Sequence, residues 1–298
     1  MIDGLVELPG FFADVIKIDD AIGIISSKYK LPNIRGSVGA RGWTFYNVVQ
    51  ECARKYYYRY VEKTKIEIGT RFEIGILTHW FLALHYLKKM KSGWSGLTKF
   101  DSPLEIPDLF KLKLELLDTG ARGDVIEESW RISEGYMDHY MRDYFTPLAI
   151  EHPQIIDNPR YSCRYDLIAH IDAKNDLFIP AGTYIVDYKT KARIDEAALS
   201  AWQHDGELKG QALIYRENKL ENIFGPLKGI IVDIIGKQKN QKFHRCIIPI
   251  QNNLLDEFHS GLHYWSNQAE EYHKSNFKKR EASCLGQYGK CDYYDMCW

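Results

Sequence analysis

Asp187 and Lys189, inside the segment Tyr184–Thr190, place a carboxylate and an amine two residues apart. Side chains alternate along an extended strand, so these two share a face while Tyr184, Val186 and Tyr188 take the other. A carboxylate in that position suits a divalent cation. An ammonium beside it can stabilise charge building up on a phosphate, or orient an attacking water. A half-buried strand with two solvated charges has the same pattern, so the chemistry depends on further ligands.

The upstream segment Tyr161–Asp172 offers them. It alternates as a strand, with Asp166 expected on one face with Arg164, Ile168, His170 and Asp172. A turn is expected over 173–176. The chain then returns through 177–190, with an irregularity at Pro180 and Gly182, so the two segments read as antiparallel neighbours. Asp166 and Asp187 then converge, with Asp172 the rival for the first carboxylate. Two carboxylates from adjacent strands plus a lysine suit phosphodiester chemistry, because hard divalent cations take oxygen ligands and keep positions open for water and phosphate.

Arg164–Ile168 followed by Ile185–Thr190 resembles the PD-(D/E)XK nuclease superfamily, and within it the RecB-like branch. Gly75–His79 resembles the first motif of that branch, in which a helical histidine completes the metal site, and Gln211–Tyr215 resembles its later helix motif. The matches follow the family's order over roughly residues 46–298. The resemblance implies an α/β fold with a central mixed β-sheet flanked by helices, the restriction-endonuclease-like core. It also implies Mg²⁺ or Mn²⁺ held by His79, Asp166, Asp187 and the backbone carbonyl of Tyr188. The implied catalytic residues are Asp166, Asp187, Lys189, Gln211 and Tyr215, with Lys189 activating or orienting water. A histidine ligand makes manganese a plausible preferred ion.

Periodicity alone reads these positions differently. His79 falls in an expected helix over 71–90, on the stripe of Phe72, Ile76, Ala83 and Leu87, where a satisfied core histidine is the default. The resemblance reverses that default for His79 and leaves His85 structural. Gln211 and Tyr215 lie one turn apart on an expected helix over 196–217, a spacing that ordinary packing also explains.

Cys284, Cys291 and Cys297 put three of the six cysteines in the last fifteen residues. Their spacing is not the paired Cys-xx-Cys of common zinc sites. The segment from Met1 lacks the basic start and apolar stretch of a signal peptide, so a secreted disulfide scaffold is not expected. A thiolate-held cluster is the better candidate and wants a fourth ligand. Tyr46–Tyr60 resembles the entry segment of RecB-like nucleases, including the AddB and CRISPR-associated types, that carry a [4Fe-4S] cluster with one cysteine before the nuclease core and three after it. The resemblance implies Cys52, Cys284, Cys291 and Cys297 as ligands of a structural cluster stapling the N- and C-terminal segments. Ala53 departs from the proline that often follows the first cysteine in that family, and zinc in place of the cluster stays open. Cys163 and Cys246, in apolar strand contexts, are expected to be buried free thiols.

At 298 residues and 45% hydrophobic content the chain can bury a large core. One elaborated nuclease domain is expected over 1–298, with an N-terminal extension (1–45), a core (46–275) and a cysteine segment (276–298). A formal charge of −1 lacks the basic excess of most nonspecific DNA binders. Any DNA path then relies on local patches. One is Arg54–Arg59, which interleaves cations and tyrosines, although three successive tyrosines on a helix point in different directions and at least one is expected in the core. The other is Lys88–Lys91, whose cations also complement a helix dipole.

No apolar run approaches membrane-spanning length, and a cytoplasmic setting in a bacterial or phage-infected cell is expected. The expected function is a divalent-metal-dependent deoxyribonuclease, with exonuclease action the expected mode. Its substrate would be single-stranded DNA or duplex ends in recombination, repair, or phage or CRISPR DNA processing, with a helicase or recombination protein as a further partner. The alternative is a catalytically silent nuclease-fold DNA-binding or assembly subunit. Further helices are expected over 124–145 and 255–272, and strands over 229–235 and 243–250. Residues 91–120 and the first 40 read least clearly, as a lid or a partner surface.

Overall fold

The computed structural model describes residues 16–32, 41–64, 69–141, 144–173, 179–196, 202, 205–286 and 289–298. Helix α1 (Ile18–Lys28) precedes α2 (Trp43–Glu51), α3 (Ala53–Tyr56), a π-helical turn (Tyr57–Val61) and the long α4 (Thr70–Lys89). Two short strands, β1 (Gly93–Ser95) and β2 (Thr98–Phe100), lead to α5 (Leu109–Asp118) and α6 (Gly123–His139). The strands β3 (Phe145–Asp157), β4 (Arg160–Ile171) and β5 (Gly182–Lys191) follow, then α7 (Gly206–Glu217), α8 (Glu221–Phe224), β6 (Leu227–Gly236), β7 (Phe243–Pro249) and α9 (Asn252–Lys274). The C-terminal segment holds β8 (Leu285–Gly286), β9 (Gly289–Lys290) and α10 (Tyr294–Cys297).

The seven-stranded sheet runs β2-β1-β3-β4-β5-β6-β7. β1 is parallel to β3 and β5 to β6, while the other neighbours are antiparallel. Parallel neighbours need a crossover, and α7 lies on the one joining β5 to β6. This is the expected mixed sheet flanked by helices.

Alternation along the strands divides the core into two layers. On one face Leu167, Ala169, Tyr184, Val186, Tyr188 and Ile231 pack with α1, α4, α5 and α6. On the other, Tyr165, Ile168, Ile185, Val232 and Ile234 pack with α2, α7 and α9. Each buried side chain of this size contributes about 1.5–3 kcal/mol. Gly210 lets α7 sit against β4, since a Cβ there would lie 2.0 Å from the hydroxyl oxygen of Tyr161. The Asp205 carboxylate caps α7 by accepting from the N–H groups of Glu207 and Leu208.

β4 departs from the regular alternation expected for it. Tyr165 and Ile168 both pack on the α7 side, whereas Leu167 packs on the α4 side. Asp166 therefore does not share a face with Ile168. Its position opposite in the register is Glu151, between the pairs Ile150–Leu167 and His152–Tyr165, and Glu151 has a left-handed backbone (φ +48°).

Other boundaries also differ from expectation. The helix expected over 124–145 stops at His139, and Phe145 opens β3. Pro147 and Pro153 hide β3 in the sequence, because proline within a run argues against an interior strand. Most of the expected turn over 173–176 and of 197–204 lies outside the described residues. The described parts of the two least legible segments act as scaffold: Ile18, Ala21, Ile22 and Ile25 of α1 and Leu109, Leu112 and Leu116 of α5 join one core.

Candidate metal centre and active site

The third turn of α4 carries His79 over the β3–β4 pair. Its Nδ1 lies 3.4 Å from Asp166 Oδ2. One ligand atom from each of His79, Glu151 and Asp166 falls within 4.8 Å of the others. A cation with ligand distances of about 2.0–2.6 Å fits among atoms so spaced. The three side chains are partly exposed in a cavity of about 650 Å³ that Arg164 also lines. Arg164 approaches Glu151 at 3.6 Å.

The charges here are strongly coupled. Burial pushes the His79 imidazole down, but the Asp166 carboxylate and then Glu151 outweigh it and hold the ring up at about 9. Burial raises the Asp166 carboxyl, but His79, Lys189 and the Tyr188 N–H bring it below its ordinary value. That N–H donates to Asp166 Oδ2 at 3.0 Å, so the Tyr188 backbone meets the site through its nitrogen.

Asp187 lies opposite Asp166, one step beyond the paired residues Leu167 and Val186. It is 2% exposed. Gln211 Nε2 donates to its Oδ1 at 2.9 Å, and the Lys189 ammonium lies 2.9 Å from its Oδ2. That ammonium is aligned for a hydrogen bond with Oδ1 instead, at 3.3 Å, which leaves Oδ2 a buried oxygen with no aligned donor among the described residues. Lys189 also donates to Glu207 Oε2 at 2.8 Å. Burial works against the Lys189 charge, but Asp187 and Glu207 outweigh it and hold the amine charged. Burial pushes Asp187 up to about 7 despite the lysine.

The structure thus brings His79 and Asp166 together with Glu151, and sets Asp187, Lys189 and Gln211 beside them. Asp187 is outside the tight trio because the alternation of β5 turns it toward α7. The donor set fits a divalent cation: one imidazole, carboxylates from three strands, and an orphaned oxygen on Asp187. Glu151 and Glu207 were missed by sequence reasoning. The prolines around Glu151 obscure its strand, while the Asp205–Glu207 helix start was the available signal for Glu207.

Three other expected positions lie elsewhere. Tyr215 donates its hydroxyl to the Gly225 carbonyl at 2.7 Å, so it does not reach toward Asp187 with Gln211. Asp172 sits exposed, 3.7 Å from His170 and outside the trio. Burial, with the charges of Lys89 and Lys88, pushes His85 down to about 3, which suits the structural place expected for it.

The segment around Cys52 meets the C-terminal segment. Cys52 Sγ accepts from the Arg280 N–H at 3.3 Å, and Ser283 donates to the Glu51 carbonyl at 2.7 Å. The Cys291 N–H donates to the Cys284 carbonyl at 2.9 Å, beside the β8–β9 pair. Burial, then the charges of Cys284, Cys52 and Cys291, push the Cys297 thiol up, while among the described residues no three of these sulfurs lie within 4.8 Å of one another. All six cysteines are free. Cys163 and Cys246 are partly buried, and burial raises both thiols.

The tyrosines of the Arg54–Arg59 segment, for which core packing is the expectation weighed against a DNA patch, pack in the core or dock the C-terminal segment. Tyr56 packs in the core, Tyr57 against Phe277, and Tyr58 stacks on Tyr293 and donates to the Met296 carbonyl. Among the described residues, no helix is long and apolar enough to cross a membrane.

Residues 44–298 match the PD-(D/E)XK nuclease superfamily, and the chain belongs to it. No curated protein matches the chain. Among solved structures, a provisionally named exonuclease from Eubacterium rectale is similar over 99% of this chain and 93% of its own, with 10% sequence identity and a TM-score of 0.46.

Proposed function

We propose that this chain is a divalent-metal-dependent deoxyribonuclease. The observation that carries the reading is the grouping of His79, Glu151 and Asp166 within 4.8 Å, next to the Asp187–Lys189 pair, in a member of a nuclease superfamily. His79, Glu151 and Asp166, with Asp187 and, by the family resemblance, the Tyr188 backbone carbonyl, are the residues that would hold Mg²⁺ or Mn²⁺. The cation supplies a lowered water pKa and charge neutralisation at the scissile phosphate. Gln211 holds Asp187 in place through Oδ1. Lys189, kept charged by Asp187 and Glu207, is placed to orient water and stabilise developing phosphate charge.

Exonuclease action on single strands or duplex ends, in DNA recombination, repair or phage or CRISPR processing, is the finer mode that the RecB-like resemblance supports. The same resemblance, and the hydrogen bonds that join the Cys52 segment to Arg280 and Ser283 beside the C-terminal cysteines, support a structural [4Fe-4S] cluster. We take residues 46–275 as the catalytic core, 1–45 as an extension and 276–298 as the cysteine segment.

The test is cleavage of end-labelled DNA by the anaerobically purified chain with Mg²⁺, Mn²⁺ or EDTA. Metal-dependent cleavage that is lost in Lys189→Ala supports the enzyme. DNA binding without cleavage under every metal would support the silent-subunit alternative and overturn the proposal.

A further inference from the structure

Phe72, Gly75, Ile76 and His79 follow one another at helical spacing along one face of α4, and all four line the cavity of the metal centre. Phe72 exposes 71% of its surface there. An exposed aromatic ring beside the groove offers a flat face on which a planar partner can stack. Two cations line the same groove. The Lys237 ammonium donates to the backbone carbonyl of Arg71 at 3.4 Å, and both residues line the cavity. Burial, then the Arg71 charge, lower the Lys237 amine. Among the described residues Arg71 makes no ion pair, so like charges face the groove without a carboxylate on Arg71 to offset them.

Seven residues of helix separate Phe72 from His79, about 10 Å along the axis. That is roughly three nucleotide steps at about 3.4 Å each. Gly75, between them, lines the cavity on the side of Thr190 of β5. The groove therefore presents an aromatic ring and two cations beside the carboxylate and imidazole groups of the candidate metal centre.

We infer that this groove takes single-stranded DNA, with Phe72 stacking on an unpaired base a few nucleotides from the scissile phosphate and Arg71 and Lys237 holding the intervening backbone. Stacking of bases on aromatic side chains is tolerant of sequence, and it requires that the base be free of a complementary strand. The inference rests on the nuclease reading, but it assigns strand preference to residues outside the metal-ligand set.

The test reads binding in EDTA, without cleavage, by fluorescence anisotropy. The probes are a labelled oligothymidylate, the same strand with abasic sites, and a blunt duplex. The expected result is that Phe72→Ala and Phe72→Leu weaken oligothymidylate binding about tenfold, Phe72→Trp restores it, and none changes binding of the abasic strand. Arg71→Gln and Lys237→Gln should each lower the slope of log affinity against log salt by about 0.7. The exposed ring predicts an unchanged unfolding temperature for the Phe72 variants. Wild-type preference for duplex, or equal loss on base-bearing and abasic strands in Phe72→Ala, would overturn the inference. Because no metal is present, failure here is separable from failure of the cleavage test.

Discussion

Glu151 stands directly opposite Asp166 across β3 and β4, in a left-handed backbone conformation at φ +48°. For a residue with a Cβ that conformation costs about 1–2 kcal/mol. The slip in alternation falls at the same level, with Tyr165 and Ile168 on one side of the sheet and Leu167 on the other. The strained glutamate and the out-of-phase aspartate are the two carboxylates that meet His79. Strain held at a ligand position is consistent with function overriding local stability.

The His79–Asp166 pair sets a pH dependence. The folded pKa of His79, about 9, lies above its ordinary 6.5. The stability it adds to the metal-free protein is therefore fully present below about 6.5 and is lost as pH rises through about 9. A metal must displace the same proton, so its affinity should rise over that range. Unfolding temperature in EDTA should fall from pH 6.5 to 9.5 while Mg²⁺ affinity, by calorimetry, climbs. Flat affinity would mean that His79 is not a ligand.

Gln211 and Tyr215 share a helix but not a task. Gln211→Ala removes the donor to Asp187 Oδ1 and should lower cleavage about tenfold or more with little change in unfolding temperature. Tyr215→Phe removes the bond to the Gly225 carbonyl and should cost about 1 kcal/mol of stability while sparing turnover per folded molecule. Equal kinetic losses in the two would contradict the placement.

Asp233 is fully buried, bound by Arg245 at 2.6 Å through both Nε and Nη2 and by the Tyr136 hydroxyl at 2.5 Å. Arg245 also stacks on Tyr140 and Phe145, so α6, β3, β6 and β7 meet at one guanidinium. Asp233→Ala strands that charge and should destabilise the fold by about 3–5 kcal/mol in urea titrations. A loss below about 1 kcal/mol would show that the pair is dispensable.

The cysteine set predicts iron content. Cys52→Ser and Cys291→Ser should lower iron and acid-labile sulfide per chain and the unfolding temperature together, because binding at a structural site is partly folding free energy. Cys163→Ser and Cys246→Ser should leave iron unchanged. Normal iron in Cys52→Ser would sink the four-cysteine assignment, and bound zinc in place of iron would replace the cluster.

Much of this was legible in the sequence. Regular periodicity marked α4, α9 and strands β4 to β7, and Asp187 with Lys189 followed from strand parity. What stayed hidden depended on breaks in that regularity. Pro147 and Pro153 masked β3 and Glu151 with it, and the slip at Asp166 has no sequence signal when a strand is assumed regular. Which of Tyr56, Tyr57 and Tyr58 is covered could not be read locally, because Tyr293, which stacks on Tyr58, lies far along the chain.

The central claim is that Glu151, with His79 and Asp166, forms the cation site. Its direct measurement is Mn²⁺ titration by calorimetry at pH 8, comparing the wild type with Glu151→Gly, a substitution that relieves the left-handed backbone while removing the carboxylate. The account predicts saturable binding in the wild type, weakened about tenfold or more in Glu151→Gly, with no fall in the unfolding temperature of the metal-free protein. Equal Mn²⁺ affinity in the two proteins would contradict it.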